Sequence, residues 1–134
     1  IEELLLDHQN HQWLIVEGQG AVFHPSYSGV TLGLMHGACP KAMVLCHYPN
    51  RRLLRHTDIP IPPLDEQIEV HERLMQPIQE SRVIGVALNC FDLSDSEARE
   101  EISKTEDELN LPVTDVIRIG AGPLVDALEN HFRS

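Results

Sequence analysis

Aromatic residues are scarce in this chain: one Trp, two Tyr and three Phe, 4% of 134 residues. Aliphatic side chains must therefore fill the interior, and a hydrophobic content of 42% suffices for one globular domain, expected to span 1–134. Cysteine is sparse too. Cys39, Cys46 and Cys90 are odd in number and form no Cys-x-x-Cys pair, which speaks against a disulfide framework and for a reducing, cytoplasmic setting. Cys46 lies inside an apolar run and is expected as a small core residue. Basic residues are in short supply, 10 Lys and Arg against 21 Asp and Glu for a net charge of -11. A phosphate backbone would be repelled, so no nucleic-acid partner is expected. No apolar run has the length to cross a membrane, so no membrane partner is expected either. The opening Ile1-Glu-Glu-Leu-Leu-Leu-Asp7 is acidic, with no basic leader. An initiator Met is lacking and Ile1 falls inside a helical pattern, which suggests the carboxyl-terminal piece of a longer protein. Nowhere does Gly-x-x-x-x-Gly-Lys-[Ser/Thr] occur; the cradle of a phosphate-binding domain would then lie upstream of Ile1.

What is present alternates. Glu2 to Gln9 reads as a helix end and Trp13 to Val16 as a strand buried on both faces. Val30 to Ala38 is helical, with Ser28 and Gly29 as cap residues. Ala42 to His47 is a second strand. Tyr48 to Pro63, with four prolines and three arginines, is a loop. Pro63 to Gln79 is helical, weakened at its end by Pro77. Arg82 to Leu88 is a third strand, and Ser94-Asp-Ser-Glu97 is a capping box opening a helix to about Leu109. Asp115 to Ile119 is a fourth strand, followed by a helix from Pro123 to His131. Four strand–helix alternations predict an α/β fold, a mostly parallel sheet with helices on both faces. The acidic run from Asp92 to Glu108 is the solvated face of a helix.

The candidate site begins at Glu17, a carboxylate at the carboxyl end of a buried strand, where open α/β sheets bind ligands and where Mg²⁺ can be held. Gly18 and Gly20 let the backbone turn sharply and approach a ligand. His24, Ser26, Tyr27, Ser28 and Thr31 follow, in a hydroxyl-rich loop feeding a helix start that favours a carboxylate or a phosphate. His24 is a candidate general base. Asn89 ends the third strand and offers a donor and an acceptor to a purine edge; Gly120 and Gly122 would lie at the same sheet edge. His47, Asn50, Arg51, Arg52 and Arg55 cluster after the second strand, as an anionic ligand or local salt bridges would require. His8 and His11 beside Asp7 are too few for a zinc site.

Taken together, Val16-Glu-Gly-Gln-Gly20, His24-Pro-Ser-Tyr-Ser-Gly-Val-Thr31, Leu34-Met-His-Gly37, Val44-Leu-Cys-His47, Ile59-Pro-Ile-Pro-Pro63, Ala87-Leu-Asn89 and Gly120-Ala-Gly122 resemble a bacterial and archaeal family long without a known function. Some of its members are described as D-glutamate N-acetyltransferases. The resemblance covers nearly the whole chain and implies the later part of a P-loop NTPase-like domain that lacks its P-loop half. More distantly, that domain resembles dethiobiotin synthetase, which implies Glu17 as a Mg²⁺ ligand and Asn89 as an adenine reader.

The expectation is thus an acyl-CoA-dependent N-acetyltransferase acting on D-glutamate or a related D-amino acid. Glu17 or His24 would be catalytic, with Ser26, Tyr27, Ser28, Thr31, Arg51 and Arg52 on the substrate. Gly18, Gly20, Asn89, Gly120 and Gly122 would lie against the nucleotide of acetyl-CoA or ATP, with Mg²⁺ at Glu17. The alternatives are an ATP- and Mg²⁺-dependent ligase or kinase-like enzyme, and a nucleotide-binding domain without turnover. The piece alone is expected to be inactive, and a homo-oligomer is expected to cover the strand edge left open.

Overall fold

The computed structural model describes residues 2–18 and 21–133. Its elements follow one another as α1 (Glu2–Asp7), α2 (Ser28–Ala38), β1 (Ala42–His47), α3 (Leu64–Met75), β2 (Arg82–Leu88), α4 (Asp95–Leu109), β3 (Val113–Thr114) and α5 (Gly122–Arg133). The strands form one parallel sheet in the order β1-β2-β3. A bulge between Met43 and Val44 shifts the register, so that Met43 faces Val83 while Val44 faces Gly85.

β2 is central because it alone is apolar enough to be covered on both faces. On one side Val86 and Leu88 join Leu45, Val113, Ala98 and Ile102 in the buried core, flanked by Leu64 and Ile68 of α3. Gly85, one position along the strand, turns to the opposite side. A Cβ there would stand 2.7 Å from Leu124 Cδ2 of α5 and 3.0 Å from the Pro112 carbonyl; its absence lets α5 and β3 close on the strand. Helices therefore cover both faces of the sheet, the α/β architecture that the alternating pattern predicts.

α4 begins where its sequence signature places it. The Ser94 amide donates to Glu97 Oε2 at 2.8 Å, and the Ser94 side chain accepts from the Glu97 amide. Hydrogen bonding to Ser94 holds the Glu97 carboxyl below its ordinary pKa. α3 stops at Met75, two residues before Pro77, whose ring cannot continue a helix.

Four local expectations need correction. Trp13 to Val16 forms no strand among the described residues, and Ile15 is 93% exposed. A strand requires a neighbouring backbone ladder; this run instead sets the Trp13 ring 5.2 Å from that of Phe132. The fourth strand is Val113–Thr114, and residues 116–119 form a turn. There Asp115 accepts from the amides of Ile117 and Arg118 at 3.0 and 3.2 Å, and the Ile119 amide donates to the Asp115 carbonyl. α2 starts at Ser28 itself, with Tyr27 at the cap position. Finally, Cys46 is exposed at the end of β1 and not a core residue; the buried cysteine is Cys90. No helix among the described residues is long and apolar enough to cross a membrane.

Candidate functional site

An open cavity of about 410 Å³ lies beyond the carboxyl end of β1, the side on which parallel sheets place their ligands. Three stretches build it. β1 contributes Cys46 and His47 and runs on into Tyr48 and Arg51; the proline-rich loop adds Leu54, Arg55, Ile61 and Pro62; the loop before α2 adds Phe23, His24 and Tyr27.

The proline-rich loop keeps its shape through backbone pairing. The Leu54 amide donates to the Ile59 carbonyl and the Ile61 amide to the Arg52 carbonyl, each at 2.9 Å. Gln67 of α3 is buried and donates to the Pro62 carbonyl at 2.7 Å. Tyr48 donates to Asp92, which also accepts from Asn50 at 2.8 Å. That bond raises the Tyr48 pKa, and the bonds from Asn50 and Tyr48 hold the Asp92 carboxyl below its ordinary value. The loops after β1 and β2 are thereby latched together. The Arg51 guanidinium lies 5.2 Å from the centre of the Tyr48 ring, a cation–π distance.

His24 is the staple of the wall. Its ring is 7% exposed. Nε2 lies 2.8 Å from the Arg55 carbonyl, and Nδ1 accepts from the Ser26 amide at 3.1 Å. Those partners require the neutral tautomer with the proton on Nε2. Both nitrogens are engaged by the chain, so His24 ties the α2 loop to the proline-rich loop; the Tyr27 ring packs 4.6 Å from it.

His47 is different. It ends β1, its carbonyl accepts from the Asn89 amide at 2.8 Å, and the residue lines the cavity. No hydrogen bond from a described residue engages the ring nitrogens. Burial lowers its pKa below the ordinary imidazole value; Glu101 acts against that shift and Arg51 with it. Burial, and then the charge of Glu17, push the Cys46 thiol up, so Cys46 keeps its proton and is a poor nucleophile.

The structure brings His24, Tyr27 and Arg51 of the expected set into one wall, and leaves others outside it. Glu17 and Gly18 are exposed and off the wall, although Glu17 stands close enough to act on Cys46. Ser26 and Ser28 are off the wall as well, and the buried Thr31 donates its hydroxyl to the Tyr27 carbonyl. Arg52 is exposed beside the cavity, and Arg55 lines it. Asn89 is exposed at the end of β2, its Oδ1 accepting from the Phe91 amide. Gly120 takes a φ of 102° and its carbonyl accepts from Thr114; Gly122 opens α5. Gly20 lies outside the described residues.

Cys46, Tyr48 and Gln67 were not foreseen in this wall. The position of Tyr48 holds a signal, since it directly follows the strand end at His47, on the edge where parallel sheets bind ligands. Among the described residues, no three His, Cys, Asp or Glu side chains converge as a metal cluster would. Mg²⁺ takes one or two protein carboxylates beside substrate phosphates, so Glu17 fits it only as a single ligand.

The comparisons agree with one another. The family described as a domain of unknown function (DUF1611_C), P-loop domain, matches residues 1–125. A protein of Tritonibacter scottomollicae named D-glutamate N-acetyltransferase is 41% identical over 130 residues, covering 96% of this chain and 39% of that protein. Another of the same name, from a Pseudoalteromonas species, is 33% identical, covering 92% and 38%. The crystal structure of a DUF1611 family protein from Anabaena variabilis superposes with a TM-score of 0.92 at 36% identity, over 96% of this chain and 39% of that one. The chain thus spans about two fifths of the length of the relatives it matches.

Proposed function

The chain belongs to the DUF1611 family, in its P-loop domain, and from that premise we propose that it forms part of an acyl-CoA-dependent N-acetyltransferase for D-glutamate or a related acidic D-amino acid. The supporting observation is the charge of the cavity. Its wall carries the guanidinium side chains of Arg51 and Arg55 and, among the described residues, no Asp or Glu, in a chain with 21 acidic residues against 10 basic ones. Cationic lining in an acidic protein marks a place for an anion. A dicarboxylic amino acid fits that chemistry, as do the phosphates of a coenzyme A thioester. The names of the two relatives supply the reaction class.

In this reading Arg51 and Arg55 bind carboxylates, and His24 and Tyr27 hold the loop that closes one side. Cytoplasmic residence and a small-molecule substrate complete the proposal. When bound, the thioester supplies an activated acyl carbon. The deciding assay gives the intact gene product acetyl-CoA and D-glutamate and weighs the product. An acetylated amino acid supports the reading; none, across a panel of acidic D-amino acids, ends it. The P-loop description also favours a second reading, an ATP- and Mg²⁺-dependent ligase or kinase-like enzyme with Glu17 on the metal. Mg²⁺-dependent ADP release that Glu17→Gln abolishes would select it.

A further inference from the structure

We infer that His47 is the proton acceptor of this site, taking the proton that the substrate nitrogen loses as it attacks the acyl thioester. The inference rests on the acetyltransferase reading above and assigns within it a role that the sequence had suggested for His24 or Glu17.

Geometry separates the three candidates. A general base must reach the proton it abstracts and have a lone pair free to take it. His24 has neither nitrogen free, with one against the Arg55 carbonyl and one against the Ser26 amide. Glu17 is exposed and off the cavity wall. His47 lines the cavity at the carboxyl end of β1, and no described residue hydrogen-bonds its ring. Its backbone is fixed by pairing with Leu88 and by the Asn89 amide. The residue is thus fixed at the edge of the sheet, and its ring nitrogens are left unoccupied by the described residues, free to meet a substrate.

The charged and titratable groups around it agree. Burial disfavours the imidazolium most, Arg51 from the loop after β1 adds to it, and together they outweigh Glu101 of α4, so the pKa is lowered. The ring is therefore neutral near pH 7, with a lone pair to offer. Tyr48, His24, Tyr27 and the protonated thiol of Cys46 complete the cavity's titratable groups, with Arg55 beside them. A thiol that keeps its proton makes direct transfer the simpler course.

The step balances. The amine, having left one proton in solvent, forms the N–C bond to the acyl carbon with its lone pair. His47 takes the N–H proton released as the amide forms. The C–S bond breaks with its electron pair on sulfur, and the imidazolium returns its proton to that thiolate.

His47→Gln in the intact gene product tests it, with Arg52→Gln as a control. Expected is a fall in kcat of about 10²–10⁴-fold with KM little changed, loss of the acidic limb of the wild-type pH–kcat profile, and partial rescue of His47→Ala by added imidazole. A readout independent of turnover is the imidazole proton resonance, assigned by its loss in His47→Gln. It should titrate below about pH 6.5 and shift when D-glutamate is added without a donor. If wild type acetylates but His47→Gln keeps its rate within about threefold with the same pH profile, or if the resonance ignores D-glutamate, the assignment to His47 is wrong and the acetyltransferase reading survives. If wild type acetylates nothing, both fall.

Discussion

Asp115 is 3% exposed, and its carboxylate has one guanidinium to meet it. Burial alone would raise its pKa. Hydrogen bonds from the Arg118 side chain and from the amides of Arg118 and Ile117 outweigh burial and hold the carboxyl below its ordinary value. The same guanidinium donates to the carbonyls of Cys90 and Leu93 and to Asp95. One side chain thus ties the β3–α5 turn to the loop after β2, beside the ligand edge of the sheet. Because the folded-state pKa is depressed, the contribution of Asp115 is present above the unfolded carboxyl value of about 4 and is lost as pH falls through the lower folded value. Arg118→Ala should lower stability, because it leaves the buried Asp115 carboxylate without its guanidinium. Urea unfolding at pH 7 measures that loss. Unfolding followed from about pH 5 to 3 should show the acid sensitivity of wild type reduced in Asp115→Asn. Equal acid slopes in the two proteins would assign the sensitivity to other carboxylates.

At the scale of single elements, α4 depends most on its own first turn. Its sequence is predominantly acidic and has no basic residue in the last turn to meet the helix dipole. The capping box at Ser94 and Glu97 therefore matters more than in a balanced helix. Ser94→Ala should lower stability by about 1 kcal/mol, seen as a lower urea midpoint with an unchanged m-value; no shift would mean that packing of Ala98 and Ile102 alone holds the helix. Elements whose information is local were legible in the sequence: the capping box and the apolar runs of β1 and β2, whereas the helix expected to run to Gln79 ends at Met75, ahead of Pro77. Trp13 to Val16 was not, because hydrophobicity says that a segment wants burial without saying what lies beside it. Asp115 to Ile119 carries three β-branched residues, but its turn is set by the Asp115 carboxylate on the amides of Ile117 and Arg118 and by Arg118 reaching Cys90, Leu93 and Asp95. The site divides the same way. An anionic pocket after β1 could be read from clustered arginines, but which arginines face it depends on how the proline-rich loop folds back. That fold is made by backbone pairs such as Leu54 with Ile59, to which side-chain patterns are blind.

Across the whole molecule, the net charge of -11 makes the surrounding field hostile to the anion that the cavity suits. Binding must then rely on short-range contacts inside the wall, where Arg51 and Arg55 stand, and the general field should weaken approach evenly. Arg51 and Arg52 separate the two effects. They are adjacent in the chain, are both exposed and carry the same charge, but only Arg51 lines the cavity. A charge-assisted hydrogen bond contributes about 1.5–3 kcal/mol, so Arg51→Gln should weaken D-glutamate binding about ten- to a hundredfold. Arg52→Gln changes the net charge identically and should weaken it by less than about threefold, an effect that rising salt removes as distant charges are screened. Calorimetric titration of both variants of the intact gene product at low and high salt makes the comparison. Equal losses in the two, vanishing together in salt, would mean that the anion senses only overall charge and that the cavity wall does not hold it.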